Sequence, residues 1–494
     1  MTSNRLPTAR EIASQIRARS ISPVEVARIH LERIERLNPS LNAFVDCQPK
    51  LVLAQARAAE TAVVKGEKLG PLHGVPLSIK SSIDVAGHRC EAGTRLRAGY
   101  VAAEDAPLVA RLRAAGAIIL GVTNAPELLM AWETDNLLYG RTNNPWDLSR
   151  TAGGSSGGEA AAIAAGLSAG GVGSDGGGSI REPAHFCGIC GLKPTPGRIP
   201  STGHYPKSGG PFALLGVVGP MARTIDDLRM MFEAIAGPDD GDPYAAPVAL
   251  REIAEQELKN VAVGFFEDDG RTPVTPATRL AVNRAATMLS ACGFRVDRFR
   301  PDGLEQARQL WWQLFGTAGG MILGPLLRGH EAELSPTLRQ FCSWTAAEPQ
   351  HTGESLLATW LGRDEIREKI LHQMKKCPVL LCPVAAIPAF RHGEREWQVE
   401  GQTVKYLDAW SYCEWFNVLG FPAVVVPMGL SDEGLPIGIQ IAGRPWEEEL
   451  VLAVAAALEK ERGDMPTAEG KTLEEKTVAG GRFKPSFGLS GEGN

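Results

Sequence analysis

A run of about 18 apolar residues, the minimum for a membrane-spanning helix, is missing from this chain of 494 residues. The opening residues, MTSNRLPTAREI, also lack an apolar stretch of signal-peptide length, so the expected location is cytoplasmic. There is no basic excess: 51 Lys and Arg stand against 57 Asp and Glu, a formal net charge of −6. That balance gives neither the basic face of a nucleic-acid binder nor an attraction to an anionic membrane. The nine cysteines are odd in number and scattered over a long chain, which argues against a disulfide framework and for reduced thiols. The one close pair, Cys187 and Cys190, has no second cysteine pair or histidine pair to complete a zinc site. His73, His88, His185, His204, His330, His351, His372 and His392 show no i,i+4 or His-x-His pairing with carboxylates. Neither a metal nor any other cofactor is expected, and no segment repeats.

What remains is ordinary globular composition, 44% hydrophobic and 22% charged, enough for a large core. Residues 8–37 read as two helices. Thr8-Ala-Arg-Glu11 and Ser22-Pro-Val-Glu25 each match a capping box, with Pro23 at the favoured first helical position. Val26, Ile29, His30 and Ile34 then form one buried stripe, on which His30 is a packing residue. From residue 70 to about 225 short apolar runs (Val75–Ile79, Ala117–Val122) alternate with helical segments (Ala106–Ala115, Gly158–Leu167). Residues 260–300 repeat that strand–helix–strand signal, and Cys377–Phe390 and Phe421–Met428 read as buried strands. The alternation predicts an α/β fold with a parallel or mixed sheet. Residues 304–375 carry Trp311, Trp312, Trp344 and Trp360 on helical patterns broken by glycine, suited either to core packing or to an apolar wall beside a substrate mouth. The polar stretch 463–494 reads as a mobile tail.

The chemistry concentrates in Gly153–Ser179, GGSSGGEAAAIAAGLSAGGVGSDGGGS, which sets Ser155 and Ser179 in glycine-rich turns at its two ends. Lys80 closes an apolar run upstream, a setting that lowers a lysine's pKa towards the neutral form needed in a base. A serine becomes a good nucleophile when a neighbouring base takes its proton, and glycines before it let backbone N–H groups turn towards a developing oxyanion. Two simpler motifs fail. Gly154-Ser-Ser-Gly-Gly158 fits the nucleophile elbow G-x-S-x-G, but a polar loop stands where the strand should be. Gly171-Val-Gly-Ser-Asp-Gly176 fits the dinucleotide fingerprint, but runs into more glycine and then Pro183 rather than opening a good helix.

The full set of Lys80, GGSSGG and GSDGGGSIREPAHFCGICGLKPTPGRIP resembles the amidase signature family. The likeness extends to Gly70-Pro-Leu-His-Gly-Val-Pro, Gly121-Val-Thr-Asn-Ala-Pro-Glu, Asn417-Val-Leu-Gly-Phe-Pro-Ala and Gly434-Leu-Pro-Ile-Gly-Ile-Gln. It implies a single large α/β domain over residues 1–462, with a central mixed β-sheet covered by α-helices, a signature core at about 70–225 and a variable insert at about 300–375. It also implies a Ser–cis-Ser–Lys triad: Ser179 as nucleophile, Ser155 as bridging serine after a cis Gly154–Ser155 peptide, and Lys80 as base. The N–H groups of Gly176, Gly177, Gly178 and Ser179 would form the oxyanion hole. Gly176 departs from relatives that carry a larger residue, which leaves room beside the carbonyl or loosens the turn. Asp175 and Arg181 would pair to hold the loop, Ser78, Ser81, Ser82 and Ser156 are candidate partners of Lys80, and Cys187 and Cys190 match packing positions.

In relatives with hydrophobic substrates, the segment holding Leu129, Met130 and Trp132 lines an acyl channel. The expected substrate is therefore a small-molecule hydrophobic or aryl amide, with esters and carbamates open to the same acyl-enzyme chemistry. The alternative is the glutaminase subunit of a tRNA-dependent amidotransferase. Against it, the acidic residue that such subunits carry shortly before the Asn417-like asparagine is displaced here to Asp408, with Trp410 nearer its place. The family resemblance also implies a homodimer.

Overall fold

Long apolar runs that alternate with helices bury on both faces of a sheet, and here they build one sheet of eleven strands. Its spatial order is Phe44–Cys47, Ile118–Thr123, Pro76–Lys80, Gly170–Asp175, Val217–Ala222, Cys190–Lys193, Ala423–Leu430, Pro436–Ala442, Val379–Pro383, Ala262–Phe265 and Arg295–Arg298. The computed structural model describes residues 6–207 and 209–468. Residues 469–494 of the expected tail lie outside it. The sheet is mixed as expected: Pro76–Lys80 runs parallel to both its neighbours, whereas Gly170–Asp175 pairs antiparallel with Val217–Ala222. Helices cover it on both faces: Pro107–Ala114, Ile225–Ile235, Pro276–Ala291 and Glu448–Arg462 share one core cluster, and Gly157–Ala164 with the C-terminal part of Pro23–Leu41 forms another.

Both N-terminal capping boxes form, Thr8 with Glu11 and Ser22 with Glu25, and start helices Ala9–Arg17 and Pro23–Leu41. Val26, His30 and Ile34 are buried on the second of these, and His30 Nδ1 lies 3.1 Å from the Leu167 carbonyl. Ile29 departs from the expected stripe and is 49% exposed. At ~100° per residue it stands roughly 110° round the helix from the centre of a stripe that Leu37 and Leu41 extend.

The glycine run before Ser179 also departs from expectation, because a short helix, Arg181–Cys187, follows it directly. Pro183 falls in its first turn, where backbone N–H groups have no intrahelical acceptor, so the proline costs nothing. Residues 304–373 form helices, Leu304–Trp311, a π-turn at Trp312–Ala318, Gly319–Leu327, Pro336–Ala346 and Gly353–Gln373, which bring Trp311, Trp312, Trp344 and Trp360 into one hydrophobic cluster. No helix among the described residues is long and apolar enough to cross a membrane.

Candidate active site

Lys80 is the last residue of its strand and is wholly buried. Its Nζ lies 2.7 Å from Ser155 Oγ, 3.0 Å from Ser156 Oγ and 3.0 Å from Ser174 Oγ. Burial pulls its pKa down to about 7, against the opposite pull of the Asp175 and Glu159 carboxylates. Ser156 is thus a partner of Lys80, as anticipated. Ser78 is not: it donates to Glu159 and stands 2.9 Å from Ser168. Neither Ser81 nor Ser82 bonds to Lys80 among the described residues. Sequence reasoning missed Ser174 and Glu159. The period-two pattern of the strand Gly170–Asp175 holds the signal for Ser174, since it puts Ser174 and Asp175 on opposite faces. Glu159 accepts from Thr123 Oγ1 at 2.7 Å, and burial pushes its carboxyl up to about 7.

The peptide between Gly154 and Ser155 is cis. The Gly154 N–H donates to Glu182 Oε2 at 2.9 Å, and Ser156 N–H to the Ser179 carbonyl at 3.1 Å, so the two serine turns are tied together. Ser155 and Ser179 line one open cleft of about 890 Å³, mouth included, with Leu129, Met130, Phe212 and Phe315 among its walls.

The loop from Gly176 to Ser179 is held through its carbonyls. Trp311 Nε1 donates to the Gly176 carbonyl at 2.8 Å and Trp132 Nε1 to the Gly177 carbonyl at 3.0 Å. The Glu182 N–H donates to the Gly178 carbonyl at 2.7 Å. In a trans peptide the C=O and the following N–H point opposite ways. Holding the carbonyls of Gly176 and Gly178 therefore turns the N–H groups of Gly177 and Ser179 away from those anchors.

The structure corrects two expectations for this loop. The Gly178 N–H is taken by Asp175 Oδ1 at 2.8 Å, which removes it from an oxyanion hole. The room expected beside Gly176 is filled by the Phe315 ring, which a Cβ there would meet at 2.6 Å. Trp132, expected to line a channel, does border a smaller cavity next to Ser179, but its indole is buried and its clearest contact is the loop carbonyl. Leu129 and Met130 border both spaces.

Asp175 and Arg181 do pair, wholly buried, through Nε–Oδ2 and Nη2–Oδ1 contacts of 3.0 Å each. Arg181 also donates to the Cys413 carbonyl, to Gln440 Oε1 at 3.1 Å and to Asn417 Oδ1 at 2.6 Å. The arginine and its hydrogen bonds hold the Asp175 carboxyl well below the usual carboxylate range despite its burial. Cys187 and Cys190 are buried free thiols.

The protein-family model Amidase matches residues 25–452. The chain belongs to the amidase signature family. It is 35% identical to the indoleacetamide hydrolase of Bradyrhizobium diazoefficiens, over 94% of this chain and 88% of that protein. It is 34% identical to the acylamidase of Rhodococcus erythropolis, over 96% and 98% respectively. One subunit of the glutamyl-tRNA(Gln) amidotransferase of Carboxydothermus hydrogenoformans is 32% identical, over 92% of this chain and 96% of that one. Among solved structures, a bacterial aryl acylamidase superposes with a TM-score of 0.81 at 28% identity, covering 92% of this chain and 96% of that one. As a member of the amidase signature family, the protein is an amidohydrolase acting on C–N bonds.

Proposed function

We propose that this amidohydrolase cleaves amides with a hydrophobic or aryl acyl group through a covalent acyl-enzyme on Ser179, with Ser155 and Lys80 as its proton relay. The observation that carries the reading is the buried Lys80, 2.7 Å from the Oγ of Ser155, which lines one cleft together with Ser179. Neutral Lys80 accepts the Ser155 proton while Ser155 takes that of Ser179, and Ser179 Oγ attacks the carbonyl carbon. Collapse of the tetrahedral intermediate breaks the C–N bond, and the proton returns through the relay to the departing nitrogen. Water then cleaves the ester on Ser179 by the same route. The N–H groups of Gly176, Gly177 and Ser179 stabilise the oxyanion, those of Gly177 and Ser179 oriented by Trp311 on the Gly176 carbonyl and by the Glu182 N–H on the Gly178 carbonyl. Such preorganised donors act where water is excluded and need no rearrangement during reaction.

The apolar walls at Leu129, Met130, Phe212 and Phe315 favour an apolar acyl or aryl group. Esters and carbamates with such groups fit the same chemistry, because the intermediate does not depend on which heteroatom leaves. The kinship to glutaminase-type subunits is weighed by a panel of an aryl amide, short and long acyl esters, an aryl carbamate and free glutamine. Preference for the apolar amides is expected, whereas hydrolysis of glutamine alone overturns the substrate reading.

The base predicts a pH profile. Lys80 must be neutral, so kcat/KM rises about tenfold per pH unit below ~7 and levels off above it. Lys80→Ala is expected to lower activity and remove that rise, and a mutant profile of unchanged shape excludes Lys80 as the base.

A further inference from the structure

The helices of residues 304–373 help enclose a second open cavity of about 1040 Å³, mouth included. The rings of Trp311, Trp312, Trp344 and Tyr406 line it together with Glu414. Glu414 is only 2% exposed, yet its carboxyl makes no hydrogen bond or ion pair among the described residues. Burial and the neighbouring Asp408 and Glu305 carboxylates, against the pull of Arg271, push its pKa well above the usual carboxylate range, so it ionises readily only when a further cation joins it.

The charges at the rim indicate the ligand's sign. Arg308 is committed to Glu305 through two 3.0 Å hydrogen bonds, and Arg395 to Glu133 at 2.6 Å. Lys405 is the remaining cation of the lining, exposed at the mouth. Opposite these stand Glu348, Glu396, Asp408 and Glu414. Glu348 accepts from Trp312 Nε1 at 3.2 Å, and Asp408 reaches Arg271 only at 3.6 Å. Indole faces and under-compensated carboxyls both attract cations.

The cavity is also a neighbour of the nucleophile. A smaller space of about 440 Å³ is lined by Ser179 and Gly177 and shares Trp311, Gln340, Trp344 and Tyr406 with the larger one. An amide placed on Ser179 with its acyl group in the apolar cleft thus has a second, aromatic space for its other half.

We propose that the Glu414 cavity binds the leaving half of the substrate as a protonated aralkyl amine. This rests on the reading of Ser179 as the group that takes the acyl half. An aliphatic amine released there takes a proton from water and is a cation at neutral pH. Once released, the protonated amine moves off Ser179 into the larger cavity, where its ammonium group meets Glu414 and its apolar body lies among the indoles. Because the aromatic space beside Ser179 takes the amine half, the preferred substrates are secondary amides of arylalkyl amines, and the released amine is a product inhibitor.

The test titrates benzylammonium into the full chain, followed by tryptophan fluorescence and calorimetry, with benzyl alcohol as its uncharged counterpart. Saturable binding of the ammonium, about tenfold tighter than the alcohol, is expected, and Glu414→Gln is expected to erase that preference. Absence of saturable binding, equal affinity for the two probes, or a preference that survives in Glu414→Gln overturns the proposal. If Glu414→Gln does not fold, the comparison of the two probes in the wild-type chain decides. Repeating the titration in Ser179→Ala separates this proposal from the catalytic one, because binding requires no turnover. Hydrolysis that survives Ser179→Ala refutes the nucleophile, whereas loss of ammonium binding refutes the cavity.

Discussion

Ser179→Ala is expected to lower kcat/KM by at least about 10⁴-fold on every substrate of the panel while the protein stays folded and still binds them. The size follows from what the substitution removes. Without Oγ no acyl-enzyme forms, and Lys80 and Ser155 are left with a relay that leads to no nucleophile. The oxyanion donors and the cleft remain, so some acceleration by binding and electrostatics is retained. Because Ser179 contributes its carbonyl and N–H to the loop as well as its side chain, alanine leaves the backbone bonds intact, including Ser156 N–H to the Ser179 carbonyl. A thermal or urea transition matching wild type makes the kinetic loss interpretable. Unimpaired hydrolysis in a folded Ser179→Ala protein assigns the nucleophile elsewhere, with Ser155 next to be tested. Ser155→Ala is the informative companion. Equal losses in the single and double variants mark the serines as one unit, since members of a relay are strongly non-additive.

How far these features could be read from the chain depends on how local their causes are. The capping boxes at Thr8 and Ser22 are signalled within four residues and form as read. The strand Pro76–Lys80 announces itself as an apolar run, and Lys80, Ser155 and Ser179 stand out because the lysine and the two glycine-set serines together resemble the amidase signature pattern. The supports of the site have no such local signature. Trp311 reaches a carbonyl 135 residues away in sequence, and Asn417 bonds to Asp175 across 242 residues. Composition could say that the tryptophan-rich segment was apolar, but not that one indole would hold the loop while its neighbours lined a separate cavity. Gly178 shows the same limit on a smaller scale. Its place in the glycine run suggests an oxyanion donor, yet the Asp175 side chain, three residues back, folds over to take its N–H. Ile29 failed for a geometric reason: helical spacing from a single neighbour does not fix the centre of a buried stripe.

The Asp175–Arg181 pair predicts the largest effect on stability. Arg181→Met is expected to destabilise the protein by about 3–5 kcal/mol and to abolish activity, because it leaves Asp175 in a dry interior without its cation. The arginine is also the junction at which Asn417 Oδ1, Gln440 Oε1 and the Cys413 carbonyl lose a donor together. Asp175 in turn orients the nucleophile loop through the N–H groups of Gly178 and Ile180, so the stability and the catalytic effects share one cause. Restoring charge balance separates them: Arg181→Met combined with Asp175→Asn should recover part of the stability and little of the activity. Urea denaturation of the two single variants and the double variant measures the coupling, and a cost for Arg181→Met below about 1 kcal/mol contradicts the buried-pair account. The pH dependence follows the same pair. The folded-state pKa of Asp175 is depressed, so its contribution is present above the ordinary aspartate value near ~4 and is lost as pH falls towards the lower folded value. Wild type should therefore lose stability steeply in acid, and the Asp175→Asn variant should show a shallower loss over the same range.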